Sequence, residues 1–245
     1  MDGAFLIYNP ITGETSAWVE INRKPGKRNH LAFGFDPQSD EHKVIWISGS
    51  VEYHFRESIL ERPKDQVVEV FTVGKNTWRR IDATPPISIT YEDSFYVDGC
   101  LYWRFRETEH GELEQIMRFD IVTEKFRVIP IPGFVIHTKE YKWSQTVDLT
   151  EIDGRIAVLT QTSLWTFHEE VDGDIRWTEE KINIPCDWNG KPELSIEALT
   201  GTNLILLRTE WSDSIFYFNR NTKESIRFPI SPDCSSWDWD RIGQV

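Results

Sequence analysis

Cysteine is scarce in this sequence: Cys100, Cys186 and Cys234 stand far apart among 245 residues. An odd, sparse set without a C-x-x-C pair offers no disulfide framework and no thiolate metal site. It suits a reducing, intracellular compartment, cytoplasm or nucleus. Long apolar runs are missing too. Nothing approaches the roughly 20 residues of a membrane span, and the opening MDGAFLIYNP lacks the basic region and apolar core of a signal peptide. Basic residues are in deficit, 27 against 40 acidic, for a net charge of −13. That is the wrong sign for a phosphate backbone, so neither nucleic acid nor membrane is expected as a partner. The one basic cluster, Arg23, Lys24, Lys27 and Arg28, reads as a solvated loop.

Chemical motifs are equally thin. The six histidines (His30, His42, His54, His110, His137, His168) show no H-x-H, H-E-x-x-H or His–Cys spacing. No G-x-S-x-G, P-loop or G-x-G-x-x-G is present. Facing carboxylates at a channel would be one route to hydrolysis, with Asp148, Glu151 and Glu197 as candidates. Acidic residues are abundant enough here for a solvated face to explain them. No metal, no cofactor and no catalytic residue is expected, and the chain does not read as an enzyme.

What is plentiful is aromatic: 11 Trp and 14 Phe, spread along the whole length. Aromatics favour strands and fill sheet cores. The stretch Ser94 to Pro132 shows how they are used. Phe95 to Val97 runs into Asp98-Gly99, the dipeptide best suited to the positive φ angles of a two-residue hairpin. Cys100 to Phe105 alternates as a half-buried strand, and a charged loop follows. Gln115 to Phe119, a turn over Asp120 to Lys125, and Phe126 to Ile129 complete a four-stranded antiparallel sheet, stopped by Pro130 and Pro132.

The chain repeats this unit. One recurring piece is an aromatic followed by Asp or Asn, two residues, then Thr or Ser: Tyr8-Asn9 with Thr12, Phe35-Asp36 with Ser39, Phe119-Asp120 with Thr123, Phe218-Asn219 with Thr222. An Asx side chain there accepts bonds from backbone N–H groups just ahead of it, and the hydroxyl acts likewise, so the turn closes without tertiary help. Another is a tight hairpin at Asp98-Gly99, Asp153-Gly154 and Thr200-Gly201. Phe71, Phe119, Phe167 and Phe218 recur about every 50 residues, and four strands at such a period mark a β-propeller of kelch or WD-repeat size. The expectation is an all-β chain forming a single domain over 1–245. Its full units are 31–82, 94–132, 146–185 and 194–229, and residues 1–21, with strands Phe5 to Tyr8 and Ser16 to Ile21, form the outer half of one more. A pair of stacked sheets is the runner-up, but it does not explain the recurrence.

In order and spacing these residues resemble the F-box-associated (interaction) domain of plant F-box proteins. The matching segments are Tyr8-Asn9-Pro10 with Thr12; Phe33-Gly34-Phe35-Asp36-Pro37 with Asp40 to Val44; and Val68 to Phe71 leading to Asn76-Thr77-Trp78-Arg79. Val97 to Trp103, Phe119-Asp120 with Thr123 to Phe126, and Ile129-Pro130 follow, with weaker matches at Asp153-Gly154, Trp165, Trp177 and Ile182. The resemblance spans roughly residues 5 to 230. It implies a kelch-like β-propeller that holds the protein to be ubiquitinated, while an F-box docks on the adaptor of a cullin-RING ubiquitin ligase. No F-box precedes Asp2 in this sequence, so an adaptor partner is expected only if an F-box lies elsewhere. A recognition domain or a truncated gene product is what remains.

Blade geometry adds an expectation about where a partner sits. The 1–2 and 3–4 turns of a four-stranded blade share one face, and here they are short. The opposite face receives longer segments: Ser48 to Gln66, Arg106 to Glu112, Glu210 to Asp213, and between units Asn22 to His30, Ala83 to Glu92, Gly133 to Lys142 and Cys186 to Pro192. Loop length beyond what closure needs usually means function. The candidate anchors there are Tyr53, His54, Phe55, Arg56, Arg106, His110, Tyr141, Trp143, Trp188 and Trp211, types that dominate interface energetics. A carbohydrate-binding or carbohydrate-active propeller, stacking sugars on its tryptophans, is the alternative.

Overall fold

A computed structural model describes residues 3–21, 28–49, 66–86, 94–106, 114–136, 148–160, 162–170, 172–182, 194–199, 201–209 and 214–229. Strands dominate. A two-stranded ribbon comes first, β1 (Gly3–Phe5) with β2 (Val19–Ile21). Then follow β3 (Arg28–Asp36), β4 (Glu41–Gly49), β5 (Val67–Thr72) and β6 (Thr77–Ile81). The next sheet holds β7 (Phe95–Val97), β8 (Cys100–Arg106), β9 (Glu114–Asp120) and β10 (Lys125–Pro130). After one helical turn, α1 (Gly133–Ile136), come β11 (Asp148–Ile152), β12 (Arg155–Leu159), β13 (Ser163–Glu169) and β14 (Ile175–Lys181). The last sheet is β15 (Leu194–Ala198), β16 (Leu204–Thr209), β17 (Ser214–Asn219) and β18 (Glu224–Pro229). Each four-stranded sheet pairs its strands in chain order, all antiparallel.

The chain divides into two compact units, Met1–Pro130 and Ile131–Val245. In the first, Ile45, Ile47, Val68 and Val70 of one sheet bury against Leu101, Trp103, Met117 and Phe119 of the next. In the second, Ala157, Leu159 and Leu164 meet Ile205, Leu207 and Phe218. The recurring phenylalanines occupy one structural position: Phe71, Phe119, Phe167 and Phe218 are buried on the third strand of their sheets. Three of them lie directly across from a fourth-strand aromatic, Trp78, Phe126 and Trp177, with ring centroids 5.3, 4.7 and 5.6 Å apart. Each such pair adds about 1 kcal/mol beyond its buried area. At the fourth sheet Ser225 takes that place.

The four Asx turns form as their chemistry dictates. Oδ1 of Asn9, Asp36, Asp120 and Asn219 each accepts the backbone N–H groups two and three residues ahead, at 2.7–3.3 Å. The fourth residue after each is left-handed: Gly13, Asp40, Glu124 and Lys223. The hydroxyl contribution is seen at Thr12, whose Oγ1 accepts from the Glu14 N–H. Asp98-Gly99 and Asp153-Gly154 carry positive φ at both residues, as a type I′ hairpin requires.

Several expectations are revised. Leu199 bonds to Leu204, so the third connection is a loop of four residues rather than a two-residue hairpin at Thr200-Gly201. The N-terminal strands are shorter than Phe5 to Tyr8 and Ser16 to Ile21, because their ladder slips. Phe5 pairs with Val19, but Tyr8 bridges Thr15, leaving one extra residue around Ala17-Trp18, a β-bulge. Strand β8 is not half-buried: Cys100, Leu101, Tyr102 and Trp103 are all interior, since a central strand is covered on both faces. The helical turn α1 lies where only a connection was read.

Candidate functional site

The sheet ends are not equivalent. In the first unit the short turns of two sheets are knitted together. The Tyr96 hydroxyl donates to the Phe35 carbonyl at 3.0 Å and accepts the Gly99 N–H at 3.1 Å. The Arg79 guanidinium forms a forked ion pair with the Glu124 carboxylate, and that bond makes Arg79 hold its proton more firmly than usual. Within the same region Lys43 meets Asp36 at 2.5 Å, both side chains nearly buried. Burial raises the Asp36 carboxyl, but bonds from Lys43, Ser39 and the Gln38 and Ser39 N–H groups prevail and lower it to about 2.

In the second unit the same task falls to Arg220. Its Nε and Nη2 donate to Glu180 Oε2 at 3.0 and 2.7 Å, and its Nη1 donates to Asp153 Oδ2 at 2.9 Å. Lys223 adds a bond to Glu180 Oε1 at 2.8 Å. Burial works against the Glu180 carboxylate, yet Arg220 and Lys223 pull its pKa below the ordinary value. One guanidinium therefore ties the β11–β12 hairpin and β14 to the turn between β17 and β18.

In each unit, then, the short-turn ends lie together and are spent on joining sheets. By antiparallel alternation the 2–3 connections leave from the opposite ends. They are uneven: 50–66 and 107–113 are long, 160–162 and 210–213 short. Of the ten predicted anchors, Tyr53, His54, Phe55, Arg56, His110, Tyr141, Trp143, Trp188 and Trp211 lie outside the described residues. Arg106 is the last residue of β8, paired with Glu114 beside the 107–113 connection.

Of the carboxylates weighed for catalysis, Asp148 and Glu151 stand on β11 and Glu197 on β15. Glu151 accepts the Gly154 N–H at 2.8 Å, within its own hairpin, and Glu197 is exposed. Among the described residues no group of three or more His, Cys, Asp and Glu is placed to hold a metal. The Cys100 thiol is pushed up by burial, partly offset by Arg118, whose Nε lies 3.2 Å from it, so it is a poor nucleophile. No helix of the described residues is long and apolar enough to cross a membrane.

A surface feature that sequence reasoning missed lies on β3. Leu31 and Phe33 are 40% and 45% exposed, whereas the alternate residues Ala32 and Gly34 are buried. Phe33 stacks flat on His42 at 5.4 Å.

Compared with known families, residues 2–236 match the model of the F-box associated beta propeller domain. The chain belongs to that family. Two Arabidopsis thaliana relatives illustrate the reach of the match. F-box protein At1g53790 is 24% identical over 92% of this chain and 50% of its own length. F-box protein At4g11590 is 27% identical over 89% of this chain and 56% of its own. The F-box associated domain thus spans about half the length of the curated relatives it matches. Among solved structures, one titled "Structure of YjhT" aligns with a TM-score of 0.49 at 9% identity, over 94% of this chain and 79% of its own.

Proposed function

We infer that this domain captures a protein destined for ubiquitination, as the substrate-holding part of an F-box subunit of a cullin-RING ligase. The observation that carries the reading is the match to the F-box associated beta propeller domain along nearly the whole chain. The commitment of the short-turn ends to ion pairs and the Tyr96 bonds supports a partner surface at the opposite ends. Recognition there is non-catalytic. The anchors are Tyr53, His54, Phe55, Arg56, Arg106, His110, Tyr141, Trp143, Trp188 and Trp211. The work takes place in the cytoplasm or nucleus, and the ligase adaptor binds only through an F-box supplied outside these residues.

Affinity capture from plant lysate tests this. Wild-type chain retains a protein whose ubiquitination depends on it, and Trp143→Ala with Trp211→Ala reduces that retention about tenfold while the far-ultraviolet dichroism stays unchanged. Retention on immobilised glycans without any protein partner would overturn the reading.

A further inference from the structure

Two arginines and a histidine line up across the third four-stranded sheet, at its short-turn end. Arg155 opens β12, just after the Asp153-Gly154 hairpin. His168 stands next to last on β13 and pairs directly with Arg176 on β14. The β12–β13 register sets Ala157 across from Thr166, so two residues nearer the hairpin Arg155 comes alongside His168. Their side chains meet there, with Arg155 Nη1 2.6 Å from His168 Nδ1.

That bond fixes the state of the imidazole. A guanidinium can only donate, so Nδ1 accepts, the ring is neutral and its proton sits on Nε2. Burial lowers the His168 pKa, the Arg155 and Arg176 charges beside it lower it further, and Glu170 opposes them. Carboxylates are plentiful in a chain with 40 acidic residues against 27 basic. Yet those of the neighbouring hairpin are engaged elsewhere, Asp153 by Arg220 and Glu151 by the Gly154 N–H. Arg155 has no carboxylate partner among the described residues. Arg176 has Glu170 at 3.2 Å, in a pair whose side chains are 66% and 52% exposed. So exposed a pair is weakly held and yields to a stronger anion. The row therefore offers two guanidiniums and an imidazole on adjacent strands, roughly 5 Å from one strand to the next.

We propose that Arg155, His168 and Arg176 form a binding site for a phosphate monoester, carried on a serine or threonine side chain of a protein partner. A phosphoryl group brings three acceptor oxygens and close to two negative charges, one oxygen for each member of the row. A carboxylate brings two oxygens and a single charge. Both arginines are exposed, so the row encloses no small ion but admits a group borne on a chain. As the anion arrives, His168 takes up a proton from solvent, because the anion offsets the arginine charges that disfavour it. Protonation turns Nδ1 into a donor and so releases Arg155 to the phosphoryl oxygens. The site goes beyond the recognition reading above, which sets the partner surface at the opposite ends of the sheets, and stands independently of it.

The probe is an N-acetylated, C-amidated pentapeptide, Ala-Ala-phosphoserine-Ala-Ala, titrated into the full chain. Its effect is read on the His168 ring resonances, assigned by their loss in His168→Gln. The expected result is a saturable shift of those resonances and a rise of the His168 titration midpoint by about one pH unit, equivalent to about tenfold tighter binding by the protonated ring. The Ser and Asp versions of the peptide, and inorganic phosphate, bind about tenfold more weakly. Arg155→Ala, a change at an exposed position, weakens the phosphopeptide about tenfold with thermal unfolding unchanged. Arg208→Ala, at an exposed arginine on β16, leaves binding intact. Unmoved resonances, an unchanged midpoint or undiminished binding to Arg155→Ala overturns the proposal. An equal loss in Arg208→Ala does so too, since it would reduce the effect to net charge. Equal binding of the Asp peptide overturns the phosphate assignment, and equal binding of inorganic phosphate overturns the side-chain source.

Discussion

Gly34 marks a close approach between the first two four-stranded sheets. A β-carbon there would run into the Ile121 Cδ1 methyl and come within 2.9 Å of the Tyr96 ring. Ile121 is fully buried, so the methyl has nowhere to go. Gly34→Ala is expected to cost about 1–3 kcal/mol by overpacking. Adding Ile121→Val, which removes the obstructing methyl, should restore part of the loss, and urea unfolding of the single and double variants measures the coupling. Asp36 offers a second test at this scale. Its native pKa of about 2 lies below the ordinary value of 3.8, so the ionised carboxylate stabilises the fold. That contribution is complete above the unfolded value and disappears as the pH falls through the native one. Unfolding midpoints should therefore drop between about pH 4 and pH 2, and the step should be absent in Asp36→Asn. The variant keeps an acceptor for the turn but leaves Lys43 unpaired, so it starts out about 3 kcal/mol less stable at neutral pH.

Among elements, the sheets were readable because their determinants are local. Asp98-Gly99 dictates a hairpin, Asp120 closes its own turn, and the phenylalanine at each third strand sets the repeat. The slip near Trp18 was not readable. A bulge moves one residue without changing the alternation on either side, so the pattern alone cannot place it. The joints between sheets were also hidden. Arg220 looks like one turn residue among several, but its partners Asp153 and Glu180 lie far away in the chain. Arg220 is nearly buried, and Arg220→Ala is expected to cost about 2 kcal/mol through lost charge-assisted bonds. Hydrogen exchange should speed up at the β11–β12 hairpin and along β14. Arg220→Lys keeps the charge but not the fork, and should fall between wild type and alanine. Equal exchange in all three proteins would mean the guanidinium is not a joint.

For the whole molecule, the same physics explains why architecture was clearer than site. A repeated sheet leaves a signal at every turn, whereas a partner surface has no period to detect. The ten candidate anchors were chosen by residue type within connections that carry no pattern, and the described strands frame only one of them, Arg106. The exposed strip on β3 escaped notice for a different reason. Burial depends on what lies next door, and a two-stranded neighbour covers less than a four-stranded one.

Self-closing turns also bear on how such a domain ages. Because Asn9, Asp36, Asp120 and Asn219 each close their own turn on backbone amides, the residues between turn and turn are largely released from mutual dependence. Lineages can then diverge almost freely everywhere except a few hinge points per repeat. Paralogues that share a quarter of their residues would keep one scaffold while their outer surfaces wander toward new clients.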